Sequence, residues 1–174
     1  MTTFFLQLVT TGFLIVQSWF SVSSPTVPPR LTPVDTSWAT TTATVTKVID
    51  GDTIDVELPD GNSARVRYIG IDTPEIYPTL ECGGREAADR NRTLVASQTV
   101  TLIPGPGLYD QYSRRLAYVY VGATFVNEAL VQEGLASLMM ISPNTAYRQP
   151  FEILQIAARS KGVGMWSCMN RSGG

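Results

Sequence analysis

Between residues 42 and 71 the chain spells three short β-patterned runs separated by two tight turns, and this feature limits its fold more than any other. The run 42–49 (TATVTKVI) is rich in β-branched residues, which suit a pleated, half-buried surface. Asp50-Gly51-Asp52 follows as turn chemistry. The run 53–58 (TIDVEL) alternates cleanly, with Ile54, Val56 and Leu58 on one face and Asp55 and Glu57 on the other. Pro59-Asp60-Gly61-Asn62 is a hairpin turn by composition. A third strand, 64–71, leads to Pro74, whose missing N–H and fixed φ end regular pairing. Three strands joined this tightly form an antiparallel meander.

Downstream the pattern changes. Gly83-Gly84 precede a helical stretch, 85–97, with Ala87, Ala88, Leu94 and Val95 at helical spacing. Residues 99–103 read as a fourth strand, 104–111 as a Gly- and Pro-rich loop, and 115–121 (RLAYVYV) as a fifth strand. A short helix, 126–135, is ended by Gly134; Pro143-Asn144 opens another loop; and 149–161 is a final helix carrying Phe151, Ile153, Leu154, Ile156, Ala157 and Ala158. Five short strands with helices inserted late fit an α+β fold, a small Greek-key barrel of OB type with helical caps. The folded domain is expected over 42–168, with 169–174 as a tail, and there are no internal repeats.

The flanks read differently. Residues 1–22 (MTTFFLQLVTTGFLIVQSWFSV) are apolar and free of charged side chains, with small residues Ser21, Ser23 and Ser24 close behind. That is a secretory h-region with a permissive cleavage site, although the usual positive n-region is missing. An uncleaved membrane anchor over residues 3–22 is the alternative, since the run approaches the roughly 20 residues that span a bilayer. A buried core helix is the third option, disfavoured because no polar face interrupts the run. Residues 1–23 are therefore expected to be a signal peptide or an anchor, and 24–41, rich in Pro, Ser and Thr, a linker. The expected location is secreted or extracytoplasmic. If the chain is exported, its only two cysteines, Cys82 and Cys168, pair as a staple; closing a loop of roughly 90 residues contributes about 4–5 kcal/mol.

Composition excludes several chemistries. The 174 residues contain no histidine, so a His general base, a Ser-His-Asp triad and His-ligated zinc are ruled out, and two cysteines cannot complete a structural zinc site. A net charge of −2 argues against a broad basic face, so any nucleic-acid contact must come from a local cluster.

The densest chemistry lies in Arg67-Tyr68-Ile69-Gly70-Ile71-Asp72-Thr73-Pro74-Glu75, which packs a guanidinium, two carboxylates and a bend into nine residues. A hard divalent cation takes oxygen ligands, and a phosphodiester under attack needs a cation and a guanidinium clamp. Asp52 shares parity with Ile54, Val56 and Leu58, which places it on the core-facing side at the barrel mouth. Each residue also has a plain structural reading: Asp50-Gly51-Asp52 as an ordinary turn, Asp72 as a helix cap, Arg67 as a surface arginine beside Arg65. Arg67 and Asp72 differ by an odd number, so a regular strand would put them on opposite faces. A shared site requires a break, most naturally at Gly70. Tyr109-Asp110-Gln111-Tyr112-Ser113-Arg114-Arg115 is by itself a polar loop, and spacing does not bring Arg114 to Arg67.

Taken together, Ile49 to Thr53, Arg67 to Glu75, Asp110 to Tyr118 (DQYSRRLAY), Val126 to Val131 (VNEALV) and Met165-Trp166-Ser167 resemble the staphylococcal nuclease-like (thermonuclease) family in order and approximate spacing. The resemblance covers 42–168 and implies a five-stranded OB barrel with three helices. It implies that Asp52, Asp72 and the carbonyl of Thr73 bind Ca²⁺, and that Glu75 positions or deprotonates the attacking water. Arg67 and Arg114 would grip the phosphate, with Asp50 in support and Tyr112 against the substrate. Arginine suits that task because it meets phosphate bidentately and keeps its charge. Asn127 is expected to be a structural hydrogen-bonding residue and Trp166 a core residue.

This sequence also departs from the pattern. Gln111 stands where the best-known members carry lysine, and 138–143 (LMMISP) lacks the tyrosines that stack on the base, a contact worth about 1–3 kcal/mol. The loop after Glu75 is shorter and carries Cys82, so a disulfide could hold it. The implied function is a secreted or surface-tethered Ca²⁺-dependent endonuclease, a monomer with no obligate protein partner. It would hydrolyse single- or double-stranded DNA and RNA with little sequence preference. The competing reading is a non-catalytic OB-fold nucleic-acid-binding module, and a purely structural barrel is the third. Neither competitor needs Asp52, Arg67, Asp72, Glu75 and Arg114 together.

Overall fold

The structure, a computed structural model, describes residues 40–169. The expected leader, nearly all of the linker and residues 170–174 lie outside the described residues. Among the described residues no helix is long and apolar enough to cross a membrane.

The meander forms as β1 (Thr41–Val48), β2 (Thr53–Glu57) and β3 (Ser63–Tyr68), each antiparallel to the next. After β4 (Gly70–Asp72) and α1 (Gly84–Val95) come β5 (Thr99–Tyr109) and β6 (Arg115–Val121), the latter extended by the two-residue β7 (Thr124–Phe125). The main sheet has the order β3-β2-β1-β5-β6-β7, and a parallel pairing of β3 with β6 closes it into a five-stranded barrel. A bulge in β1 between Val45 and Lys47 adds the curl that closure needs. Ile54 and Val56 are fully buried, as their alternation requires, together with Val66, Val100 and Val119. Burial of these side chains, each worth about 1.5–3 kcal/mol, is the main stabilising term.

Three departures from the sequence reading matter for the site. The third strand breaks in two: Gly70 adopts φ 80°, and β4 leaves the barrel to pair with β8 (Ser137–Met139). The fourth strand continues past Ile103 to Tyr109, through the segment expected to be a loop. Asn144 explains this, since its carboxamide accepts from the Gly107 N–H (2.8 Å) and donates to the Gly107 carbonyl (2.9 Å), standing in for a strand partner. A Cβ on Gly105 would run into that carboxamide. The second helix, α2 (Val126–Gln132), stops before the expected Leu135, because Gly134 turns left-handed (φ 72°) and the Leu135 N–H reaches back to the Leu130 carbonyl at 2.8 Å.

Helix α3 (Arg148–Lys161) buries Phe151 and Ala158 and joins Tyr118, Phe125 and Tyr147 in an aromatic cluster. The described residues end in the single turn α4 (Trp166–Met169). Trp166 is buried beside Met165 and Ala158. Asn127 is fully buried and links α2 to the barrel, its Oδ1 accepting from the Val119 N–H (3.0 Å) and its Nδ2 donating to the Ile69 carbonyl (2.9 Å). A disulfide joins Cys82 to Cys168, with Cα atoms 6.3 Å apart.

Candidate active site

The break at Gly70 decides the geometry of the barrel mouth. By turning the chain there, it lets the Arg67 guanidinium reach forward along its own strand. Arg67 Nη2 donates to Asp72 Oδ1 at 2.6 Å and to the Ile71 carbonyl at 3.1 Å, while Nη1 pairs with Asp52 Oδ1. Two carboxylates thus converge on one positive group. Arg67 is only 12% exposed, unlike Arg65 at 51%, so the surface-arginine reading fits Arg65 alone. Burial lowers the pKa of Arg67 from its usual value, while Asp72 pulls it back up.

Asp52 is buried, with partners at both carboxylate oxygens. Its Oδ2 accepts from the Thr73 N–H (2.8 Å) and the Thr73 hydroxyl (3.1 Å), and its Oδ1 accepts from the Thr53 hydroxyl (3.1 Å). A Cβ on Gly51 would fall 2.6 Å from Thr73 Oγ1, so only glycine lets this turn lie against Thr73. Asp50 Oδ1 accepts from the Asp52 N–H at 3.0 Å, a turn bond that also fixes Asp52. Burial raises the Asp50 carboxyl above its ordinary pKa, with the Thr53 hydrogen bond and the charge of Arg67 opposing.

Glu75 follows Pro74 beyond the end of β4 and is exposed. Desolvation raises its pKa, and the charges of Asp50 and Asp72 push the same way. A carboxylate shifted in that direction is a better proton acceptor near neutral pH than an ordinary one.

Arg114 arrives from the loop between β5 and β6. The Asp110 carboxylate organises that loop: its Oδ1 accepts from the N–H groups of Tyr112 and Arg114, both at 2.9 Å, and its Oδ2 accepts from Arg114 Nε at 2.6 Å. The Arg114 guanidinium lies 5.4 Å from the centre of the exposed Tyr112 ring. Asp50, Asp52, Arg67, Asp72, Glu75, Tyr112 and Arg114 all line one cavity of about 640 Å³. Thr73 stands behind that wall, buried against Asp52. Gln111, Met139 and Ile141 line the same cavity where the sequence departs from its resemblance. Cys82 and Cys168 are not part of its lining.

The donor set fits a hard cation. Asp52 and Asp72 already share one positive partner, and the carbonyl of Thr73 follows directly in the chain, so every donor is oxygen. The set is sparse: among the described residues no three Asp, Glu, Cys or His side chains gather as a metal cluster. An ion held by two carboxylates and a carbonyl keeps positions for water and substrate.

Sequence reasoning missed two residues that build the site. Asn91 is fully buried on α1, donating from Nδ2 to the Asp50 carbonyl (2.9 Å) and accepting at Oδ1 from the Tyr68 hydroxyl (2.9 Å). Its signal was its place between Ala87 and Val95 on the apolar face, where an unpartnered amide would be costly. The other is Asp110, which opens the DQYSRRLAY motif but carries no role in the sequence reading; its spacing of four to Arg114 was the signal for one.

Comparison with known proteins points to one family. A family model described as staphylococcal nuclease homologue matches residues 65–168. The thermonuclease of Staphylococcus hyicus is 34% identical over 169 residues, covering 93% of this chain and 99% of its own length. The thermonuclease of Staphylococcus intermedius is 38% identical over 125 residues, 70% of this chain and 74% of its own. Endonuclease YncB of Bacillus subtilis (strain 168) is 40% identical over 129 residues, 71% of this chain and 61% of its own.

Proposed function

Because the chain belongs to the staphylococcal nuclease homologue family, we propose that it is a nuclease of the Ca²⁺-dependent kind, hydrolysing phosphodiester bonds of DNA and RNA with little sequence preference. The observation that supports this most is the convergence of Asp52, Arg67, Asp72, Glu75 and Arg114 on one cavity. A phosphodiester is an anion, and nucleophilic attack on it adds charge to its oxygens, so concentrated positive charge lowers the barrier.

Each residue has a role. Asp52, Asp72 and the Thr73 carbonyl would hold Ca²⁺, which when bound supplies a Lewis acid toward a phosphate oxygen. Glu75 takes a proton from the attacking water, the task that histidine performs elsewhere. Arg67 and Arg114 bind the phosphate oxygens and stabilise the charge that develops on them. Asp50 fixes the turn that presents Asp52. Tyr112 offers an exposed ring to a base or sugar. By resemblance the products carry 3′-phosphates. The Cys82–Cys168 disulfide supports an extracytoplasmic location, since such bonds persist in oxidising compartments.

The test is cleavage of single-stranded DNA by the purified protein, with added Ca²⁺ or excess chelator, and with Glu75→Gln. Cleavage should require Ca²⁺, and the substitution should lower it by about 10²–10⁴-fold. Binding of DNA without cleavage by the intact protein would replace this reading with the non-catalytic barrel.

A further inference from the structure

We infer that Glu81 is a positioning residue for Glu75, clamping its backbone from both sides, with the Cys82–Cys168 disulfide as the anchor of the clamp. The inference rests on the reading of Glu75 as the proton acceptor, and it answers a problem that reading raises. A general base must stand within about 3 Å of the proton it takes. Glu75 lies on an exposed stretch between β4 and α1, in neither strand nor helix. No ladder holds it.

Glu81 does. Its carboxylate Oε2 accepts from the Glu75 N–H at 3.0 Å, and its own N–H donates to the Glu75 carbonyl at 2.9 Å. One residue therefore satisfies both backbone polar groups of the other, which fixes the direction in which the Glu75 side chain leaves the main chain. The Glu81 carbonyl in turn accepts from the Gly84 N–H at 3.0 Å, which ties the clamp to the first residue of α1. Gly84 lies so close that a Cβ there would fall 2.5 Å from the Glu75 carbonyl oxygen. Next in the chain, Cys82 is bonded to Cys168 of α4, and a Cβ on Gly83 would meet the Met165 Cβ at 3.0 Å. The clamp is thus bolted to the body through residues that do not line the cavity. Glu81 commits its carboxylate to a backbone N–H, although a second acid beside Glu75 adds like charge.

The experiment compares wild type, Glu81→Ala, Glu81→Gln, Glu75→Gln and the Glu75→Gln/Glu81→Ala double variant by steady-state kinetics, thermal unfolding and amide hydrogen exchange. Glu81→Ala should lower kcat about 10- to 100-fold with KM little changed, the loss expected of a misplaced group. Glu81→Gln should stay near wild type, because its amide oxygen accepts the same bond. The double variant should be no slower than Glu75→Gln. The Glu75 amide should exchange slowly in wild type and Glu81→Gln, and faster in Glu81→Ala. A kcat for Glu81→Ala equal to wild type, or an equal further loss in the Glu75→Gln background, overturns the inference. Wild-type turnover by Glu75→Gln sinks instead the reading of Glu75 itself, while the exchange measurement still reports the clamp. If Glu81→Ala unfolds, Glu81→Gln decides: a drop in its kcat with normal folding overturns the inference.

Discussion

The two halves of the cavity are built on opposite plans. The half that carries Asp50, Asp52, Arg67 and Asp72 is held by contacts between segments far apart in the chain. Thr73 bonds Asp52 across 21 residues, Asn91 bonds Asp50 across 41, and Asn127 bonds Ile69 across 58. The half that carries Tyr112 and Arg114 is held by Asp110 through bonds spanning two to four residues. The first half exists only when the barrel exists, so its charges are fixed before substrate arrives and its burial is part of the fold. The second is a loop ordered by bonds within its own few residues, so its loss is expected to leave the barrel standing. Preorganisation and stability are one property on the first side and separable properties on the second.

The two arginines test that division with the largest effects. Arg67→Met should lower kcat by about 10³-fold or more, the scale seen when a charge-stabilising donor is removed. Without divalent metal it should also lower stability, because Asp52 is left buried beside no cation; breaking such a pair costs about 3–5 kcal/mol. Arg114→Met should lower kcat by a similar order and leave the melting temperature nearly unchanged. Thermal unfolding in chelator, beside single-turnover kinetics with Ca²⁺, separates the cases. An Arg114→Met protein that melts as early as Arg67→Met would break the comparison.

A smaller effect is expected at Asn91, which touches no substrate. Asn91→Ala strands the buried Tyr68 hydroxyl and withdraws a donor from the Asp50 carbonyl, a loss of about 1–3 kcal/mol. The melting temperature should fall by several degrees. Because the Asp50 turn loosens, kcat should fall with it, whereas KM, set partly by the Tyr112 loop, should change little. A stability loss with kcat untouched would mean that the turn needs no brace from α1.

Much of the barrel was legible because its strands record their surroundings in their own residues. Ile54 and Val56 alternate with Asp55, the Gly and Pro turns mark each reversal, and the odd spacing of Arg67 and Asp72 demanded the break that Gly70 supplies. What was not legible depends on partners that the local pattern does not carry. The run from Pro104 to Tyr109 stays extended because Asn144, 37 residues beyond Gly107, replaces a strand edge. β8 is three residues long, too short for any period to show. Glu81 bonds a backbone N–H, and Asn91 bonds a backbone carbonyl as well as the Tyr68 hydroxyl; a bond to the main chain leaves no complementary residue to find. The site residues themselves stood out only through several motifs occurring in order, since each alone reads as an ordinary turn, cap or loop.

The smallest effect sharpens the comparison at the boundary between loop and wall. Asp55 and Arg65 face each other across β2 and β3 and form a two-point ion pair, Oδ1 to Nε at 2.7 Å and Oδ2 to Nη2 at 2.9 Å. They line an open groove with Tyr112, Ser113 and Arg114, so they form the outer wall beneath the loop. The hydrogen bond from Arg65 holds the Asp55 carboxyl below its ordinary 3.8. A depressed carboxyl stabilises the fold above its unfolded pKa, and that contribution fades as pH falls through the lower, folded value. Asp55→Asn should therefore melt slightly earlier than wild type at pH 7, by under about 1 kcal/mol for so exposed a pair. The gap should close as pH drops below 3.8 toward the folded pKa, and it should shrink in 1 M salt. Turnover at neutral pH should not move, because the loop draws its order from Asp110 and not from the wall. A fall in kcat for Asp55→Asn at unchanged stability would show that the wall orders Arg114 after all, and the loop would then belong to the barrel's long-range plan.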